Sequence, residues 1–248
     1  MVLQDQFSTT SKNQSYGPAY DNSLRPLGPK LEDGTQLYTN YNYKPGHNDF
    51  WNVGLTNQTD FSFSSGDATS SIYMSGQYVT VAGTTPGDKF TRANVRVNGF
   101  KKINDKVSVS FSTSLAPNKY DVSSATGSIY TNMLNMPSNV DITQFKDWQN
   151  NKFATPAGFY NPWYGNPYFT AANNRQLDKN MYVTGNMEVK YTPIPGLDLI
   201  ARQGISTRSF NEKATGGQYT YSLYSRNTDQ SSKSNIPAYV TETAQPVY

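Results

Sequence analysis

This 248-residue chain predicts an all-β fold, an antiparallel up-and-down meander with strands of membrane-crossing length. Three observations lead there. The composition is poor in helix formers: 88 residues are Ser, Thr, Asn or Gln, with 18 Gly and 14 Pro besides, a mixture that favours strands and turns. Six segments alternate apolar and polar residues with period two, the pattern of a strand with one oily and one wet face. The connections between these segments are short and long by turns.

In chain order, residues 1–56 read as an extended, irregular connector, because prolines recur through Tyr16-Gly17-Pro18, Arg25-Pro26-Leu27-Gly28-Pro29-Lys30 and Lys44-Pro45-Gly46 and interrupt both helix and sheet hydrogen bonding. A partial barrel over 57–210 follows. Its first segment sets Phe61 and Phe63 against Asp60, Ser62 and Ser64; the second sets Ile72, Met74, Gly76 and Tyr78 against Ser71, Tyr73, Ser75 and Gln77. In the third, Ala93, Val95 and Val97 alternate with Arg92, Asn94, Arg96 and Asn98. The fourth alternates Val107, Val109, Phe111, Thr113 and Leu115 with serines. The fifth opposes Met181, Val183, Gly185, Met187, Val189 and Tyr191 to Tyr182, Thr184, Asn186, Glu188 and Lys190. In the sixth, Leu197, Leu199, Ala201 and Ile205 face away from Asp198, Arg202, Ser206 and Arg208. Residues 211–248 read as a loop and an open polar tail, which could contribute a seventh or eighth strand.

Tight turns at Ser65-Gly66-Asp67, Lys101 to Lys106 and Thr192-Pro193-Ile194-Pro195-Gly196 alternate with the loop from Gly83 to Lys89 and a long insert over 117–178. In a meander, every second connection lies on the same side, so the short turns gather at one end and the long loops at the other, as in outer-membrane barrels. Membrane-crossing strands need about 9–11 residues against about 5–6 in soluble sheets, and segments two to six approach the larger value. The oily faces carry no mid-strand charge, while Arg92, Arg96, Glu188, Lys190, Asp198 and Arg202 share the wet faces. An Arg or Lys facing lipid at mid-membrane would cost about 2–4 kcal/mol. Alternation by itself fits a half-buried soluble sheet equally.

The composition also excludes. Zero cysteine removes disulfides, thiolate zinc sites and cysteine nucleophiles. The single His47, expected as an exposed loop residue, leaves no histidine metal cluster and no Ser-His-Asp triad. A net charge of +3 is too small to point to nucleic acid. No run of eighteen apolar residues marks a transmembrane helix, and the mean hydropathy is −0.68; barrel strands escape that test because their faces average out. The carboxylates are scattered, no phosphate-binding or zinc-protease spacing occurs, and no cofactor or catalytic residue is expected. The start lacks a basic, apolar leader, so the expectation is either a cytosolic protein or a piece of a longer one.

Tyr16-Gly17-Pro18 with the Asp21–Gly28 stretch, and then Asn48-Asp49-Phe50-Trp51-Asn52-Val53-Gly54-Leu55-Thr56, resemble the junction after the plug in SusC/RagA-like TonB-dependent outer-membrane transporters. The Ser-Gly-Asp turn, Ile72-Tyr73-Met74-Ser75-Gly76-Gln77-Tyr78 and Phe90-Thr91-Arg92-Ala93-Asn94 resemble the first barrel strands. Asn161-Pro162-Trp163-Tyr164-Gly165-Asn166-Pro167-Tyr168-Phe169 resembles an extracellular loop, and Tyr191-Thr192-Pro193-Ile194-Pro195-Gly196-Leu197 the following turn. The resemblance implies part of a large transmembrane barrel in the outer membrane of a Gram-negative bacterium. It also implies a SusD-like surface lipoprotein as partner, energisation by TonB, contact with outer-membrane lipid, and import of glycan or peptide nutrients. Six strands cannot close a barrel, so the chain is expected to be the plug–barrel junction and first strands of something larger. A soluble carbohydrate-binding β module and a small passive porin are the rival readings.

Within that frame, the stiff aromatic cluster Tyr160, Trp163, Tyr164, Tyr168 and Phe169 is the candidate contact surface for ligand or lipoprotein, since rigid rings give contact area at low entropy cost; mutual packing is the plainer alternative. The wet-face charges are expected to face the lumen and the plug. Residues 133–148 allow one short helix after Ser138, with Asp141 in its first turn.

Overall fold

The computed structural model describes residues 18–31, 33–156, 158–161, 164–217 and 239–247. Seven strands form one antiparallel sheet in strict sequence order: β3 (Leu55–Gly66), β4 (Ser70–Ala82), β5 (Lys89–Lys102), β6 (Val107–Ser123), β7 (Arg175–Ile194), β8 (Leu197–Gly216) and β9 (Tyr239–Val247). The all-β meander expected from the alternation is what the chain forms. A separate hairpin pairs β1 (Leu24–Lys30) with β2 (Gln36–Asn40), and two short helices, α1 (Thr126–Leu134) and α2 (Pro167–Asn173), sit in the connection from β6 to β7.

Register places each alternating segment on a common pair of faces. Leu115 pairs with Val95 and Val183, and Phe111 with Gly99 and Met187; all lie on the oily face. On the other face Ser112 joins Asn98 and Asn186. Successive side chains point to opposite sides of a pleated strand, so this register keeps every oily row on one side across β3 to β8. On that face Gly76 and Gly99 leave room for the rings of Phe61 and Phe111, their direct cross-strand partners. A Cβ at either glycine would lie 2.2 or 2.3 Å from the ring.

The sheet is a single layer. Phe61 is 67% exposed, Met187 50% and Ile205 61%, so among the described residues no second sheet or helical layer covers the oily face. The buried core lies elsewhere, in a body built from the β6–β7 connection, the β1–β2 hairpin and the 3-10 turn Gly46–Phe50. Leu27 of β1, Phe50, Ile129 and Met133 of α1, Ile142, Phe145 and Tyr168 of α2 meet there. That body sits at the end of the sheet where the long connections gather.

Several sequence expectations change or sharpen. Within 1–56, expected as an irregular connector, Leu24–Lys30 and Gln36–Asn40 form an ordered hairpin whose hydrophobic partners come from the long insert. Prolines did not exclude pairing: Pro26 faces Tyr38 in the hairpin, where a missing N–H at an edge costs little. The insert is shorter than expected, because β6 continues past Pro117 to Ser123 and β7 begins at Arg175. Pro117 keeps its pairing to Met181, while direct pairing with β5 lapses between Leu115 and Asn118. The tail contributes a seventh strand, since β9 pairs with β8 from Gly216 to Arg208. The helix expected after Ser138 is only a 3-10 turn, Ile142–Phe145, and its capping side chain is Asp141, which accepts from the Thr143 amide at 2.9 Å.

Candidate functional site: a two-faced sheet and its loop-end body

The oily face is a band. From Val107 to Pro117 on β6, and from Tyr191 to Met181 on β7, every outward position is apolar, Gly or Thr. Those eleven residues, at about 3.3 Å each and the usual barrel tilt of about 40°, span close to the 25 Å height of a lipid-facing band. Tyr78 and Tyr191, both exposed, stand at its two margins. Strands β6 to β8 are 17, 20 and 20 residues long, so they project well beyond the band on the long-connection side.

The wet face is laced by cross-strand hydrogen bonds. Gln77 donates to Asp60 at 2.8 Å and accepts from Arg92 at 2.8 Å, linking β3, β4 and β5. Ser112 and Ser114 donate to Asn98 and Asn94 at 2.7 and 3.2 Å. Arg202 reaches Glu188 at 2.6 Å, and Lys190 lies 2.7 Å from Asp198. Five of the six charges expected on this face therefore hold partners from within it. Arg96 is exposed and has no ion pair among the described residues, standing beside Ser75, Gln77 and Asn94 in an open polar recess of about 400 Å³.

The aromatic cluster is divided by the structure. Tyr160 and Tyr168 are buried in the core of the loop-end body; Tyr160 packs on Phe145 and Phe159, and Tyr168 edge-on against Phe50 at 4.8 Å. Burial pushes the Tyr160 hydroxyl well above the usual phenol range. Their rings hold the body together and are not open to a ligand, because the Pro-Gly-rich stretch folds over the insert's own apolar residues. Phe169 stands edge-on to Trp148 at 5.2 Å and is half-buried, as is Tyr164. Trp163 lies outside the described residues. His47 is half-buried rather than exposed, its Nε2 3.2 Å from the Pro137 carbonyl.

Two organising residues had gone unnoticed. Asn166, fully buried, accepts from the Tyr168 amide at 2.9 Å and so caps α2, while its Nδ2 donates to the carbonyls of Phe145 and Ala154 at 2.8 and 2.6 Å. Its signal was present in the Asn166-Pro167 pair, a capping residue followed by proline at the first helical position. Arg175 bridges Asp88 at 2.9 Å and Asp121 at 2.8 Å and donates to the carbonyls of Ala171 and Gly87. It ties the β4–β5 loop, β6 and the end of α2 to the start of β7. Nothing in local sequence marks this node, because its carboxylates lie 87 and 54 residues away.

The hairpin is seated on the insert by similar means. Gly28 has φ +71 and abuts the Tyr160 backbone, where a Cβ would stand 2.5 Å from Cα. Across the surface Lys152 reaches Asp33 at 2.7 Å. That hydrogen-bonded ammonium, with the Thr35 hydroxyl and amide, holds the Asp33 carboxyl well below the ordinary range.

No family model matches this chain, and no curated protein matches it in sequence. Among solved structures this chain is similar to part of the RagAB peptide importer in its "closed-closed" state, with a TM-score of 0.51 at 20% identity over 81% of this chain. The chain spans 22% of the length of that importer chain. The likeness establishes the fold, an antiparallel β meander resembling part of a larger barrel.

Proposed function

We propose that this chain forms a sector of the wall of a SusC/RagA-like TonB-dependent transporter in a bacterial outer membrane. The oily band faces lipid, the wet face looks into the lumen, and the loop-end body stands on the outer surface where a SusD-like lipoprotein docks. The cargo is a nutrient of the glycan or peptide class, and the chain's part in import is mechanical and not catalytic. One observation carries the reading: a band of apolar side chains the height of a bilayer stays exposed on one side of a single-layer sheet, while the hydrogen-bonded charges occupy the other. Exposure of this extent in water would be an aggregation hazard, and a soluble binding module would have buried it against a second layer. The fold likeness to an importer supports the same assignment.

A pair of arginine substitutions tests it in the intact transporter. Val183→Arg places a cation at mid-band on the oily face and is expected to cost about 2–4 kcal/mol and to reduce assembly in the outer membrane. Thr184→Arg, one residue along on the wet face, is expected to stay within about 0.5 kcal/mol of the parent. Both sites lie on a surface open to its surroundings, so in a soluble protein the two variants would behave alike, and equal effects would overturn the reading.

A further inference from the structure

Just beyond the loop-end margin of the oily band, on the same face, one rung crosses five strands: Thr80, Thr91, Lys119, Lys179 and Asn211 pair in sequence across β4 to β8. Lys119 and Lys179 are direct cross-strand partners. Like charges set opposite one another destabilise a strand pair, and both lysines are exposed with no ion pair among the described residues. On the next rung, Lys89 is exposed and stands opposite Asp121, whose carboxylate is drawn to Arg175 at 2.8 Å. The strands thus keep three ammonium groups on two adjacent rungs, beside an apolar surface their stems can cover, with a repulsion that no ion pair among the described residues neutralises.

We propose that Lys89, Lys119 and Lys179 bind the phosphate groups of the lipid layer at its outer surface. The inference rests on the membrane reading above and adds to it a specific site. An ammonium held at the level of anionic headgroups gains attraction from each phosphate it meets, and two facing lysines suit one phosphate between them. The position decides the source: a lipid phosphate is delivered to this height because its acyl chains lie along the band below, whereas a soluble anion would gain nothing from the apolar surface.

The test uses the full-length transporter in nanodiscs containing bisphosphorylated lipid A, with retained lipid counted by native mass spectrometry. The parent should retain lipid A and lose it when the dephosphorylated lipid is substituted. K119Q/K179Q should weaken retention roughly tenfold to thirtyfold, and K101Q, at the short-turn end of the same face, should leave it unchanged. If the double variant fails to assemble, K119Q and K179Q singly should each lose about threefold to tenfold. Equal retention by the parent and the lysine variants would overturn the site, as would displacement of the lipid by millimolar inorganic phosphate, which would mark a soluble-anion site. A transporter recovered from cells without detergent would instead overturn the membrane reading itself.

Discussion

Replacing Asn166 tests whether one buried side chain holds the loop-end body together. Asn166→Ala removes three hydrogen bonds at once. Losing the helix cap costs about 1 kcal/mol, and leaving the Phe145 and Ala154 carbonyls unpaired in the core costs about 1–3 kcal/mol each. With some relief from entering water the total is about 3–5 kcal/mol. Asn166→Asp separates the contributions, because its carboxylate still accepts from the Tyr168 amide but cannot donate to two carbonyls, which it would repel. Hydrogen exchange on the intact protein reads the outcome locally, since such bodies open as units of their own. Amides of α2 and of Ile142–Phe145 should lose protection by about a hundredfold to a few thousandfold in the alanine variant. The aspartate variant should lose comparable protection, while mid-strand amides of β7 and β8 stay as they were. If the aspartate variant kept parental protection, the two carbonyl bonds would be irrelevant and the account of this core would fail.

Arg175→Gln should loosen the junction between sheet and body by about 3 kcal/mol, because Asp88, 13% exposed, is left without its cation; faster protease cleavage in the β4–β5 loop and at the end of α2 is the readout. Gly99→Ala should cost about 1–3 kcal/mol by driving the Phe111 ring off its cross-strand seat, and adding Phe111→Ala should remove most of that increment in a double-mutant cycle. Gly28→Ala should unseat the β1–β2 hairpin, since both its positive φ and its contact with Tyr160 exclude a side chain; exchange of the Leu37 amide reports it. The hairpin should also weaken in acid. Asp21 is held at about 2 by the Ser23 hydroxyl and amide and by Arg25, and Asp33 is lowered by Lys152. A lowered carboxyl contributes stability that is complete above its unfolded value near 4 and is lost as pH falls through the folded value. Hairpin protection should therefore drop between about pH 4 and pH 2, and Asp33→Asn should flatten part of that dependence.

Most of the sheet was legible before any coordinates. Side chains alternate across a strand by local geometry alone, so Val183 and Thr184 could be assigned to opposite faces from neighbours a few residues away, and the turns at Gly66, Asn104 and Gly196 announced where the chain reverses. The same alternation put Arg92, Arg96, Glu188, Lys190, Asp198 and Arg202 on the wet side without any knowledge of which strands pair. The tail strand β9 could be raised only as a possibility, because Tyr239–Val247 has little apolar alternation and owes its conformation to the edge of β8. Strand ends were misjudged at Pro117, where proline removes one donor and the sheet absorbs the loss.

What the sequence by itself determined is thus the two-sided character of the strands, a property each residue shares only with its near neighbours. Tertiary structure alone decided the place of Tyr160 and Tyr168. Tyr160 and Tyr168 could equally have faced outward, and they became core because Leu27, Phe50 and Phe145 arrive from three distant stretches of chain to cover them. The Arg175 node and the facing lysines at 119 and 179 have the same origin: their partners are distant in sequence, so only the register that joins the strands brings those charges together.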